Sequence, residues 1–132
     1  MNRKQRRANP QGMASPSGGG APALFASAVA QHRLGQLAEA ERLYREALAL
    51  NPRHADALHL LGMVVEQVGR GDGAALIRQA IVINPREPGY FSNLGVILRA
   101  RGAVAEAIAA HRHAVALKPD FAEAHGNLGA SL

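Results

Sequence analysis

The sequence has no cysteine and no tryptophan, and aromatic residues make up only 4% of its 132 residues. The absence of cysteine excludes disulfide bonds and thiolate metal sites and is typical of a reducing compartment, so we expect a cytoplasmic protein. The shortage of aromatic residues disfavours both an aromatic β-core and a base-stacking platform for nucleic acid. Because no run of about 18 apolar residues is present, we expect no membrane span.

Acidic residues are absent from the first twenty positions, whereas four of the fifteen basic residues lie there: Arg3, Lys4, Arg6 and Arg7. After this segment eleven basic residues face ten acidic ones, so the excess positive charge belongs to the tail. Residues 1–20 are also rich in Gly, Pro and Ser, which predicts a disordered basic tail or linker. Such a tail attracts phosphates in a salt-dependent way, but the nearly neutral remainder disfavours nucleic acid as the partner.

A period of 33 to 34 residues runs through the rest of the chain. The segments ALALNP, AIVINP and AVALKP end at Pro52, Pro85 and Pro119, which are 33 and 34 residues apart. Residues 37–52 and 104–119 are identical at eight of sixteen places. The period predicts one folded domain, 21–132, made of the units 21–54, 55–87 and 88–121 and a partial fourth unit, 122–132.

Each unit is predicted to form two α-helices. In the first helix of the second unit, Leu58, Leu61, Val65 and Val68 follow the spacing of an amphipathic helix, and Gly69 ends it. A second helix, rich in Ala, Leu and Arg, ends at the proline. Because neither helix can bury its apolar stripe alone, neighbouring units must stack. The sequence therefore predicts an all-α solenoid, an α-α superhelix of three helix-turn-helix repeats with a partial fourth helix.

Small residues recur at fixed places in the units and are predicted to let paired helices approach closely. They are Ala28, Gly62, Gly95 and Gly129 in the first helices, and Ala40, Gly73, Ala107, Ala47, Ala80 and Ala114 in the second helices. Tyr44, Ile77 and His111 are expected to fill the remaining gaps. The turn Gly71-Asp72-Gly73 lacks one residue relative to the other units, and its two glycines predict a flexible turn.

This pattern resembles the tetratricopeptide repeat, and the phrase FAEAHGNLG at 121–129 is similar to bacterial arrays of the O-linked N-acetylglucosamine transferase type. The resemblance implies a non-catalytic adaptor or scaffold that binds a peptide or protein partner in the concave groove lined by the first helices. In those transferases the repeats bind substrate and a separate domain catalyses. The alternative function is therefore the substrate-binding portion of a truncated or split glycosyltransferase.

Asn93 and Asn127 are the most specific candidates in the predicted groove, because they occupy the same place in successive units. An amide offers one acceptor and two donors, so it can pair with the backbone of a peptide whatever its side chains. The resemblance implies the same role, since an asparagine ladder contacts peptide in the transferase repeats. The alternative is an asparagine held between helices or simply solvated. The predicted groove residues are Phe25, Val29, His59, Met63, Ser92, Asn93, Val96, Arg99 and Asn127.

The carboxylate clamp of chaperone-binding members of this family needs Lys and Asn at set groove positions. The matching positions carry Phe25, His59 and Ser92 in place of Lys, and Val29 and Met63 in place of Asn. We therefore expect no such clamp.

The six histidines are the only candidates for a metal site or a catalytic base. His54 and His59 lack the i, i+4 spacing of a helical zinc pair. His111 and His125 fall at packing positions and are expected to be core residues with one satisfied ring nitrogen. No nucleophile elbow or phosphate-binding loop is present, so we expect no enzyme, no metal and no cofactor.

The last eleven residues, 122–132, form an apolar end that is a candidate surface for self-association. Alternatively they serve as a minimal cap, or they mark a truncated gene product.

Overall fold

The computed structural model describes residues 20–120, together with Gly126 and Gly129. Within residues 20–120 the chain contains six α-helices and no strand. The helices are α1 (Ala21–Arg33), α2 (Leu37–Leu50), α3 (Ala55–Val68), α4 (Gly73–Ile83), α5 (Pro88–Ala100) and α6 (Val104–Leu117). They make three helix-turn-helix pairs, so the predicted all-α class is confirmed. The basic tail lies outside the described residues, and so does the segment 122–132, with its predicted helix and self-association surface, except for Gly126 and Gly129, which are both helical.

The turns follow the predicted glycines and prolines. Gly35, Gly69 and Gly102, which end the first helix of each pair, have φ angles of 78°, 72° and 83°. This left-handed region is accessible to glycine at no steric cost, which explains why each helix ends there. Each second helix ends two residues before a proline, at Pro52, Pro85 or Pro119. The residue between the helix and the proline is not helical, because a residue before proline is pushed towards extended backbone.

The chain packs as two compact units, one running to Ala57 and the other beginning at Leu58. In the first unit α1 packs on α2, and Ala28, Ala40 and Tyr44 have no exposed surface. The Tyr44 hydroxyl lies 3.0 Å from Nδ1 of His32. Burial raises the pKa of Tyr44 to about 12, so the phenol stays neutral and holds its place in the core as predicted.

In the second unit, α3 and α4 touch through their backbones. A Cβ atom built on Gly62 would lie 2.7 Å from the carbonyl oxygen of Gly73, and one built on Gly73 would collide with the carbonyl of Gly62. The predicted close approach is therefore confirmed at this pair. At Gly95 the neighbour is different, because the missing Cβ makes room for the ring of His111 rather than for a backbone.

The turn before α4 is tied down by side chains, although its glycines had predicted flexibility. The Asp72 carboxylate accepts a hydrogen bond from Ala75 N at 3.2 Å, and the Glu66 carboxylate accepts one from Gly73 N at 3.2 Å. Arg101, which directly follows α5, donates to both carboxylates, at 3.1 Å to Glu66 and 3.0 Å to Asp72. The hydrogen bond from Arg101 is the main reason that the pKa of Glu66 lies below its ordinary value.

The prediction that His111 keeps one satisfied ring nitrogen is wrong. The residue is fully buried, as expected, but neither Nδ1 nor Nε2 has a hydrogen-bond partner among the described residues. Burial, and secondarily the charge of Arg99, lowers the pKa of His111. The site therefore accommodates the neutral imidazole as an apolar filler. His125 lies outside the described residues.

Candidate functional site

The structure joins two of the predicted groove residues, His59 on α3 and Asn93 on α5. Nδ2 of Asn93 lies 2.8 Å from Nε2 of His59 across 34 residues of sequence, or one repeat. An amide nitrogen can only donate, so the ring nitrogen must accept. His59 is therefore neutral in this arrangement, with its proton on Nδ1.

His59 is held firmly, whereas Asn93 is more accessible. The His59 side chain is only 9% exposed, and its ring centroid lies 4.8 Å from that of Tyr90, at an interplanar angle of 42°. Asn93 is half-buried. Among residues 20–120 the amide of Asn93 has no partner other than His59, so its carbonyl oxygen keeps its hydrogen-bonding capacity.

Three further predicted residues lie on the same two helices. Met63 follows His59 by about one turn of α3, Val96 follows Asn93 by about one turn of α5, and both are half-buried. Arg99 is exposed near the end of α5. We call these five residues the α3–α5 surface: His59, Met63, Asn93, Val96 and Arg99. It combines two apolar side chains, an imidazole, an amide and a cation.

The remaining predicted groove residues are placed differently. Ser92 has no exposed surface, so its hydroxyl is not presented to solvent. In the first unit Phe25 is half-buried, with its ring centroid 4.5 Å from that of His54 and 6.0 Å from that of Tyr44, and Val29 is half-buried. Asn127 lies outside the described residues. The groove roles of Phe25, Val29 and Asn127 stay predictions.

Two features were missed by sequence reasoning. His54, which the sequence placed only at a turn, accepts a hydrogen bond from Ala57 N at 3.2 Å and so caps the start of α3. In the second unit a cleft of 260 Å³ opens between α4, α5 and α6. Its lining comprises Phe91, Leu94 and Leu98 from α5 together with Arg78, Glu106, Ala109, Ala110 and His113. Position-by-position matching of the repeats gives no signal for a cleft, because it depends on how neighbouring helices pack.

The part of the chain that the structure describes holds neither a candidate metal cluster nor a candidate membrane span. Between residues 20 and 120 no three His, Asp or Glu side chains come together as a metal ion would require. In the same part of the chain no helix combines the length and the apolar character needed to cross a bilayer. Among the described histidines, His54 caps α3, His59 contacts Asn93, and the other three, at positions 32, 111 and 113, contact Tyr44, fill the core and stack on Phe91, respectively.

Two family models match the chain. A model described as tetratricopeptide repeat matches residues 25–88, and one described as TPR repeat matches residues 95–132. No curated protein sequence is significantly similar to the chain.

Solved structures of the same architecture include a mutant O-GlcNAc transferase from Thermobaculum terrenum, with 36% identity over 85% of this chain and a TM-score of 0.81. The chain spans 22% of that transferase's length. The first TPR of Spaghetti (RPAP3), bound to an HSP90 peptide, is 17% identical, with 84% of this chain and 89% of that chain covered and a TM-score of 0.79. The type III secretion chaperone SycD of Yersinia enterocolitica, in complex with a peptide of the translocator YopD, is 22% identical, with 82% and 88% covered and a TM-score of 0.73. The Spaghetti domain and SycD share the fold of this chain.

Proposed function

The chain belongs to the tetratricopeptide repeat proteins, and on that premise we propose that it is a non-catalytic interaction module for a peptide segment of a protein partner. The binding site is the α3–α5 surface. The observation that carries this proposal is the half-buried amide of Asn93, whose nitrogen is engaged by His59 while its oxygen has no partner among residues 20–120. Two proteins of the same fold, the Spaghetti domain and SycD, hold peptides in their structures.

The chemistry of the surface determines the kind of peptide. Met63 and Val96 offer apolar contact, Asn93 offers a hydrogen bond to peptide backbone, and Arg99 offers a cation near the end of α5. Hydrogen bonds to backbone give affinity without reading side chains, and the apolar pair supplies selection for an apolar residue. Because the family's clamp residues are replaced in this chain, we propose an internal peptide segment rather than a C-terminal carboxylate as the ligand. We further propose that this interaction takes place in the cytoplasm.

The test is an affinity measurement with peptides selected from a random display library on the unmodified chain. A groove variant carries four substitutions on α3 and α5: Met63→Ser, Asn93→Ala, Val96→Ser and Arg99→Ala. A matched control variant carries four substitutions at exposed positions of α4 and α6: Gln79→Ala, Val82→Ser, Arg112→Ala and Ala116→Ser.

We expect the selected peptides to bind the groove variant at least about tenfold more weakly, because two apolar contacts and a backbone hydrogen bond are lost. The control variant should bind with unchanged affinity, and both variants should keep the far-ultraviolet circular dichroism of the parent. Equal affinities for the parent and the groove variant would place the binding site elsewhere.

A second candidate function is favoured by the 36% identity with the transferase. In this reading the chain is a substrate-binding repeat portion of a glycosyltransferase whose catalytic domain is fused downstream or encoded separately. Intact-mass measurement of the endogenous polypeptide, with the DNA read beyond the codon for Leu132, tests the fused form. A mass corresponding to 132 residues would exclude the fused form. A separately encoded form predicts that the chain co-purifies with a protein bearing glycosyltransferase activity.

A further inference from the structure

The contact between His59 and Asn93 has a definite polarity. Nδ2 of Asn93, a donor, faces Nε2 of His59 at 2.8 Å. Only the imidazole with an unprotonated Nε2 satisfies this contact, because two donors facing each other would repel. The tautomer of His59 and the orientation of the Asn93 amide are therefore coupled.

His59 is placed so that it can impose this orientation. Its side chain is 9% exposed and lies 4.8 Å, between ring centroids, from Tyr90, which is itself 2% exposed. A ring enclosed in this way has few alternative rotamers, whereas the amide of an asparagine on a half-buried surface is otherwise free to rotate by 180°. The rigid partner in the pair is therefore the histidine, and the group that is oriented is the amide.

The orientation decides which atom meets a ligand. With Nδ2 donated to His59, the oxygen Oδ1 is the atom of Asn93 that has no partner among residues 20–120. We propose that His59 is a positioning residue that fixes the Asn93 amide so that its oxygen accepts a hydrogen bond from a backbone N–H of the bound peptide. This proposal rests on the proposed function, and it adds which hydrogen-bonding group of the peptide is read.

A specificity follows from this polarity. A peptide residue without a backbone N–H, either proline or an N-methyl amino acid, leaves the Asn93 oxygen unsatisfied when it sits opposite that oxygen. A buried acceptor that lacks a hydrogen bond lowers the binding free energy more than the replacement of both donor and acceptor by apolar groups would. One position of the ligand should therefore reject N-methylation, independently of its side chain.

The first experiment needs no ligand. Long-range ¹H–¹⁵N correlation spectra of the full chain at neutral pH report which nitrogen of His59 carries the proton. We expect the proton on Nδ1, and one Asn93 side-chain amide proton shifted downfield by its hydrogen bond to Nε2 of His59. In His59→Leu that downfield shift should be lost. In His59→Gln, whose side-chain oxygen can still accept from Nδ2, the downfield shift should be largely kept. A proton on Nε2 of His59, or an Asn93 amide unaffected by His59→Leu, would overturn the proposal.

The second experiment uses a display-selected peptide and its series of singly N-methylated versions. In the parent and in His59→Gln, methylation at one position should lower affinity by about threefold to tenfold, corresponding to one hydrogen bond. In His59→Leu the same methylation should have a clearly smaller effect, because the free amide turns a donor towards the ligand. An equal effect in His59→Leu would refute the positioning role. If instead the proposed function were wrong, the result would be different. The peptide would then bind the parent and the groove variant with equal affinity, whichever tautomer His59 adopts.

Discussion

Substitution of Gly62 by alanine tests the packing of the second unit most severely. The added Cβ would lie 2.7 Å from the carbonyl oxygen of Gly73, 3.0 Å from Cγ1 of Ile77 and 3.3 Å from Cβ of Leu76. A backbone oxygen cannot rotate away, so the helices must separate, and overpacking of this kind costs about 2–3 kcal/mol. The replacement of a helical glycine by alanine returns about 1 kcal/mol. We therefore expect Gly62→Ala to lower the free energy of unfolding by about 1–2 kcal/mol.

Urea denaturation followed by circular dichroism measures this difference, and Gly89→Ala is the matched control. Gly89 lies in α5, and the nearest atom to its added Cβ is the end of the flexible Glu87 side chain at 3.4 Å. The control should therefore be neutral or slightly stabilising. If Gly62→Ala were as stable as Gly89→Ala, the backbone contact between α3 and α4 would be refuted as a constraint on this position.

Three further predictions concern stability. Arg101→Ala should destabilise the chain by less than about 1 kcal/mol at low salt through the lost bonds to Glu66, and the deficit should shrink in about 1 M NaCl, whereas Arg112→Ala should change little at either salt concentration. His111→Leu should reduce the pH dependence of stability between about pH 7.5 and about pH 5.5. The unfolded chain binds a proton on this histidine near pH 6.5 and the folded chain resists it, so the parent loses free energy of unfolding as the pH falls. His54→Ala should cost about 1 kcal/mol by removing the α3 cap, and His54→Asn, which keeps an acceptor, should recover most of it in the same urea assay.

The helices were predictable because their signals are local. A stripe such as Leu58, Leu61 and Val65, a glycine at each first turn and a proline after each second helix fix the ends of the elements without reference to tertiary packing. The close approach of Gly62 and Gly73 was also predictable, because small residues recur at equivalent places.

The contacts that depend on packing between helices could not be predicted in the same way. Arg101 lies 35 residues from Glu66 in sequence, so no local pattern indicates that their hydrogen bonds hold the glycine-rich turn in place. The lack of any described partner for His111 depends on which atoms surround its ring, and the complete burial of Ser92 depends on how α5 is packed. At the candidate site, the repeat pattern predicted that Asn93 lies on the first helix of its unit. Its hydrogen bond to His59 could not be predicted, because it depends on how α3 and α5 pack against each other.

Site-specific photo-crosslinking in the source cell shows whether a partner protein binds at the α3–α5 surface. p-Benzoylphenylalanine replaces Arg99 on the α3–α5 surface in one chain and Arg112, an exposed arginine of α6, in the other. The two substitutions are chemically identical and differ only in the helix that carries them. We expect irradiation to give a discrete protein adduct from position 99 and none from position 112, and we expect Asn93→Ala to weaken the adduct. An adduct of equal or greater yield from position 112 would refute binding at the α3–α5 surface.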